Sequence, residues 1–225
     1  MSRRESLAPR LAWLVIFAAA FGYLEGAVVV YLRAIYYPDG FGFPLQLAAD
    51  RIAAVEVGRE LATLFMLLAA AGLTARRGWG RFGAFAIAFG IWDLVFYLTL
   101  KLLLDWPASL ATWDVLFLIP GVWTGPVWSA AVIAVLLVVC GWRMMAADAT
   151  GWRPRPGWVG WIGSVLSLGM LLTSFLWNHT MVLNGGVPQY FPVWLWLAGV
   201  VVGLVTFAQV FGALRPPGRH PLSPV

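Results

Sequence analysis

The chain has 225 residues, of which 61% are hydrophobic and 11% are charged, and its mean hydropathy is +0.83. Soluble domains carry about a quarter charged residues, so the composition excludes an ordinary soluble domain and indicates an integral membrane protein. The net charge of +5 does not indicate a nucleic-acid partner, because the arginines lie between apolar segments. The single cysteine, Cys140, excludes an intramolecular disulfide and a multi-thiolate metal site, and its apolar neighbours predict a buried thiol.

Six apolar segments have the length of roughly 20 residues that a helix needs to cross a bilayer. They run approximately over residues 11–32, 52–73, 81–104, 122–142, 157–178 and 192–213. The connections between them are short, and none is a linker long enough to separate two domains. The sequence therefore predicts an all-α polytopic membrane protein, with one six-helix transmembrane domain over residues 1–225.

The positions of the basic residues predict the orientation in the membrane. Eleven of the fifteen lie on alternate connections: Arg3, Arg4, Arg10, Arg76, Arg77, Arg81, Arg143, Arg153, Arg155, Arg215 and Arg219. Such residues stay on the cytoplasmic side, so both termini are predicted to be cytoplasmic. Arginine outnumbers lysine fourteen to one, which is typical of a GC-rich bacterial genome and indicates the bacterial plasma (inner) membrane.

Seven charged residues lie in the middle of the predicted spans or toward their outer ends, although a charge at the bilayer centre costs between about 3 and more than 10 kcal/mol. They are Glu25, Arg33, Glu56, Arg59, Glu60, Asp93 and Lys101. At about 1.5 Å per residue from the predicted cytoplasmic end, all seven fall in the middle or outer half of the bilayer. Asn178 and His179, at the outer end of the fifth span, are further contributors. The one-sided placement predicts a polar cavity that faces the external side.

The segment EVGRE, residues 56–60, places two acids and one base within two turns of the second predicted helix. Glu56, Arg59 and Glu60 project from one side of a helix because they are three and four residues apart. Arg59 can satisfy only one of the two acids, so the other must find a base on another helix, hold a proton or bind a cation. The alternative is a set of structural ion pairs, because buried charges must be paired whatever their purpose.

An internal similarity links two of the spans. Residues 18–33, AAAFGYLEGAVVVYLR, align with residues 86–101, AIAFGIWDLVFYLTLK, so that Glu25 matches Asp93 and Arg33 matches Lys101. Parallel repeats of this kind occur in transporters, although the match does not extend to the other helices. Acid and base in each segment are eight residues apart and cannot touch along the helix, so we expect pairing across helices. Glu25 with Lys101 or Asp93 with Arg33 are examples, although their depths disfavour direct contact, and EVGRE is the nearer candidate partner.

The connections predicted to be external are long, aromatic and nearly uncharged. They cover residues 36–50, 105–128 and 178–196. Asp105 and Pro107 predict the start of a short helix over residues 106–118, lying on or dipping into the outer leaflet. The segment TWDVLFLI at 112–119 also resembles IWDLVFYL at 91–98. An apolar external surface keeps a membrane-protein partner among the interpretations.

Three functional interpretations remain open. The first is a protein that binds or transports a small ion, a proton or a polar solute through the charged site. The second is an accessory or assembly subunit whose buried ion pairs only fix the bundle. The third, less favoured, is a membrane enzyme that acts on a lipid-linked substrate with a carboxylate as general base. The sequence predicts no cofactor and no metal site, since it has two histidines and no phosphate-binding, zincin or nucleophile-elbow motif.

Overall fold

In a computed structural model the protein is mostly helical, and the description below covers residues 7–46, 49–75, 78–152 and 154–212, without the side chains of residues 49–51. The elements are α1 (Leu7–Tyr36), α2 (Ala49–Thr74), α3 (Gly78–Leu104), β1 (Trp113–Phe117), β2 (Trp123–Pro126), α4 (Val127–Ala149), α5 (Trp158–Leu176), α6 (His179–Leu183) and α7 (Val193–Phe211). Five segments in these ranges are long and apolar enough to cross a membrane: α1, α3, α4, α7 and Trp158–Leu183, which contains α5 and α6.

The second predicted span, residues 52–73, lies within α2, which is not one of those five. Its 26 residues give it sufficient length, and its first half carries Glu56, Arg59 and Glu60. Several arginines that predict the orientation lie outside the described residues: Arg3, Arg4, Arg76, Arg77, Arg153, Arg215 and Arg219.

Close contact between helices depends on glycines at the crossing points. A methyl group on Gly22 of α1 would lie 2.5 Å from the Trp92 carbonyl oxygen of α3. Where α3 crosses α4, a methyl on Gly141 would lie 2.5 Å from the carbonyl oxygen of Gly83. Gly90, the repeat counterpart of Gly22, lies against α4 rather than α1. Small residues allow such close approach within membranes, where apolar burial does not drive helices together.

The helices form two groups connected by the β-hairpin. The four helices α1 to α4 pack through a core that includes Leu14, Ala18, Leu67 and Ala88. α5 packs mainly against α7. A second core of aromatic residues, centred on Phe175, connects the hairpin to these two helices. Glu25 of α1 and the Leu118 amide of the hairpin both contact charged residues of α2, so the charged part of α2 faces α1 and the hairpin.

The β-hairpin corrects two expectations of the sequence. Residues 113–117 form a strand and not the second half of a short helix, and residues 123–126, at the expected start of the fourth span, form its antiparallel partner. The fold is thus mostly helical, as predicted, and the described residues include one small two-stranded sheet that the sequence did not predict. The physical reason is local, because aromatic and β-branched residues such as Trp113, Val115 and Phe117 favour strands, while Pro120 and Gly121 lie in the turn between them.

Cys140 is half-buried on α4, whereas the sequence predicted a buried thiol. It lines an apolar cavity of about 310 Å³ between α3, α4, α5 and α7. The space exists because α4 and α7 make few contacts with each other.

The glycine contacts generate a test of the fold. Replacing Gly141 by alanine should destabilise the protein by about 1 to 3 kcal/mol, because the methyl meets backbone that cannot rotate away. Gly169 of α5 is a matched control, since nothing lies within 4 Å of a methyl at that position, and alanine should be neutral or slightly stabilising there. Unfolding of both variants in detergent measures the difference. Equal stability of the two variants would contradict the α3–α4 packing.

Candidate charged cavity

A cavity of about 210 Å³ lies between α1, α2, α3 and the start of the hairpin. Seven Asp, Glu and Arg residues among those described line it: Glu25, Arg33, Glu56, Arg59, Glu60, Asp93 and Asp114. Six of these are sequence-predicted site residues, contributed by three helices, and Asp114 comes from β1. The cavity thus collects almost all of the charge that the apolar segments carry.

Arg59 holds two of the carboxylates. It forms ion pairs with Glu25 of α1 and with Glu56 on its own helix, where the Nη2–Oε2 distance is 2.9 Å. The second Glu25 oxygen accepts a hydrogen bond of 2.9 Å from the Thr63 hydroxyl. Glu25 is only 4% exposed, so α1 and α2 are joined through a carboxylate that bulk water cannot solvate. The sequence prediction that Glu25 pairs with EVGRE agrees with this contact.

Glu60 connects α2 to the hairpin. Its two carboxylate oxygens lie 2.9 and 3.1 Å from the backbone nitrogen of Leu118, which donates a hydrogen bond to them. Glu60 is buried, and it makes no ion pair among the described residues. A backbone amide supplies a dipole but no positive charge, so the positive charge that acts on Glu60 is that of the neighbouring Arg59, without an ion-pair contact.

Arg33 and Asp114 form the other ion pair of the cavity, at 3.3 Å. Tyr97 of α3 donates a hydrogen bond of 3.0 Å to the second Asp114 oxygen. The Arg33 guanidinium also lies over the rings of Trp106 and Phe41, 3.7 and 4.3 Å from their centroids. Asp114 lies in the hairpin, outside the helices. Burial raises its pKa to about 6, although Arg33 and the Tyr97 hydrogen bond act in the opposite direction.

Asp93 of α3 is the carboxylate without a partner. It is half-buried, it lines the cavity, and it makes no hydrogen bond or ion pair with any residue that the structure describes. The side chain therefore lines the cavity with no basic partner among the described residues to balance it.

The charges around the cavity do not cancel. Five carboxylates and two guanidinium groups line it, so full ionisation would leave three negative charges in excess. Burying one uncompensated charge in low dielectric costs several kcal/mol, and such groups take up a proton or acquire a counterion instead. The arrangement can therefore bind protons or positively charged species, with Asp93 as the group most available to them.

Three sequence-predicted residues lie elsewhere. Lys101 contacts Asp105, four residues later, at 2.6 Å, and not an acid of the cavity. The Asn178 amide donates to the Tyr190 carbonyl at 3.0 Å. His179 accepts a hydrogen bond of 2.9 Å from the Val122 backbone nitrogen. These last two residues hold the hairpin and the loop before α7 in place and do not line the cavity.

Sequence reasoning missed Asp114, Tyr97 and Thr63 as parts of the cavity. One signal was present, since the segment around Asp114 resembles the segment around Asp93. No helical periodicity placed it near Arg33, however, because its position depends on how the hairpin folds back over α1. Tyr97 and Thr63 carry no charge and resemble ordinary membrane-helix residues.

No group of three or more His, Cys, Asp and Glu side chains among the described residues is arranged to hold a metal ion. Comparison of the chain with known protein families, with curated proteins and with solved structures finds no match. The function must therefore be inferred from the cavity itself.

Arg59 forms ion pairs with both Glu25 and Glu56, so we expect its replacement to lower the stability of the protein strongly. Arg59→Gln should destabilise the protein by about 3 kcal/mol or more, because it leaves Glu25 buried without a positive partner. Adding Glu25→Gln should recover most of the loss, and Lys101→Gln, at an exposed pair, should change little. Unfolding titrations in detergent give the double-mutant cycle. Additive effects of the two substitutions would contradict the Glu25–Arg59 pair.

The environment of Asp114 predicts a pH dependence. Because its pKa rises from 3.8 to about 6 in the folded protein, the folded chain binds this proton more tightly than the unfolded chain. Its contribution to the free energy of unfolding therefore decreases as the pH rises from about 4 to about 6. Infrared titration should show a carboxyl band that disappears near pH 6 in the native protein. The same titrating band in Asp114→Asn would contradict the assignment.

Proposed function

We propose that the protein spans a bacterial plasma membrane six times, with both termini in the cytoplasm, and binds and transports a small cation or proton at the charged cavity. The observation that carries the proposal is the excess of five carboxylates over two guanidinium groups around one cavity. A bilayer contributes no counterion to a buried site, so the excess must be balanced by something that enters from water.

The placement of the charges on α2 supports its role as the sixth span. Glu56, Arg59 and Glu60 line the cavity, so they face protein and not lipid. Charged residues within transmembrane helices are tolerated when they face the bundle interior or a water-filled cavity. With α2 across the membrane, the basic connections alternate in side and the cavity lies toward the external face.

The charged residues of the cavity differ in whether they are paired, and this difference supports binding over a purely structural role. Arg33 and Arg59 each form ion pairs that join separate elements, and these would suffice to fix the bundle. Asp93 contacts no charged or hydrogen-bonding partner among the described residues, and a structural network gains no stability from an unpartnered acid. An accessory subunit needs the ion pairs but has no use for Asp93.

Asp93→Asn should abolish transport and leave the fold intact, because asparagine keeps the shape and loses the charge. The measurement is a solid-supported-membrane current from proteoliposomes after steps in pH, Na⁺, K⁺ or a small ammonium salt. The matched control is Asp148→Asn. Asp148 lies near the C-terminal end of α4 and does not line the charged cavity, so this variant should transport as the native protein does.

Two results would contradict the proposal. One is a native current that Asp93→Asn leaves unchanged. The other is native protein that is folded yet gives no current and shows no thermal shift with any of these cations, in which case the accessory interpretation is favoured. Purification with a stoichiometric membrane partner would strengthen that second outcome.

A further inference from the structure

The wall of the cavity beside Asp93 is aromatic. Phe96 and Tyr97 follow Asp93 on α3 by three and four residues and so share its side of the helix. The ring of Phe96 lies 6.2 Å from that of Trp92 and 5.3 Å from that of Tyr97, measured between centroids. All three residues line the cavity, so a carboxylate and a continuous aromatic strip lie next to each other.

The same cavity already contains one cation that lies against aromatic rings and is paired with a carboxylate, namely the Arg33 side chain. The Arg33 guanidinium at the same cavity lies against the rings of Trp106 and Phe41 while its charge is balanced by Asp114. A cation over aromatic faces with a carboxylate nearby is the arrangement that recognises organic ammonium groups in aromatic cages. Asp93 likewise lies at this cavity together with three aromatic rings, those of Trp92, Phe96 and Tyr97.

We propose that the cavity binds a methylated organic ammonium ion, with Asp93 as its counterion and the rings of Trp92, Phe96 and Tyr97 against its methyl groups. The inference rests on the proposed function, in which the site takes a cation, and names the class of that cation. A metal ion is a poorer match, since hard cations prefer shells of six or more oxygen ligands and this wall consists of rings.

The other four carboxylates of the cavity already have partners in the protein, and this favours a cation that has no N–H donors to satisfy. Glu25, Glu56 and Asp114 already hold guanidinium groups, and Glu60 accepts a backbone amide. A primary ammonium has three donors to satisfy, whereas a quaternary ammonium has none and spreads its charge over its methyl groups. The volume of about 210 Å³ has room for roughly seven groups the size of a water molecule, which is about the size of choline.

The test measures binding of choline to the full chain in lipid nanodiscs, with 3,3-dimethyl-1-butanol as its neutral isostere. Choline should bind saturably and the isostere should not. Asp93→Asn should weaken choline binding at least tenfold. Phe96→Leu keeps an apolar side chain but removes the ring, and should weaken choline binding several-fold. Lys101→Gln, outside the cavity, should bind as the native protein does.

The outcomes separate the two proposals. Currents with Na⁺ or protons that depend on Asp93, together with no choline binding, would overturn the ammonium inference and leave the proposed function standing. Choline binding that both Asp93→Asn and Phe96→Leu leave unchanged would place choline elsewhere and also overturn the inference. Absence of every Asp93-dependent cation effect in folded protein would overturn both.

Discussion

The structure depends on how Arg59 shares its charge between Glu25 and Glu56. Through this one guanidinium, α2 is held to α1 at a point where Glu25 is almost wholly removed from water. A charge in that position is stable only with an opposite charge and hydrogen bonds to its remaining lone pairs, and Thr63 completes the set. One residue further along α2, Glu60 accepts the hydrogen bond of the Leu118 amide, so the same turn of α2 also contacts the hairpin.

The hairpin closes the cavity by polar contacts and not by apolar packing alone. Asp114 reaches Arg33 and Tyr97, while the Leu118 amide reaches Glu60, so β1 and the residue after it contact α1, α2 and α3. On its other side the hairpin packs against α5 and α7 through aromatic rings such as Trp123 against Phe175. One small sheet thereby connects the charged group of helices to the apolar pair.

The sequence predicted the parts of this arrangement that helix geometry controls. The rise and period of a helix place Glu25 and EVGRE at the same depth, and the structure joins them through Arg59. It also brings Asp93 to the cavity that Glu25 lines. The sequence groups Lys101 with them because it lies near the outer end of the third predicted span, although its spacing of four from Asp105 already favours a local pair.

Helix geometry says nothing about where a loop folds, and so the hairpin, Asp114 and the closure over Glu60 were not predicted.

The most direct test of the excess of buried carboxylates is an experimental structure of the protein in lipid nanodiscs. We expect a cavity between α1, α2, α3 and the hairpin in which water or a bound cation, and no basic side chain, contacts the Asp93 carboxylate. A cavity filled by side chains, with Asp93 in an ion pair with a base of the protein, would contradict this expectation.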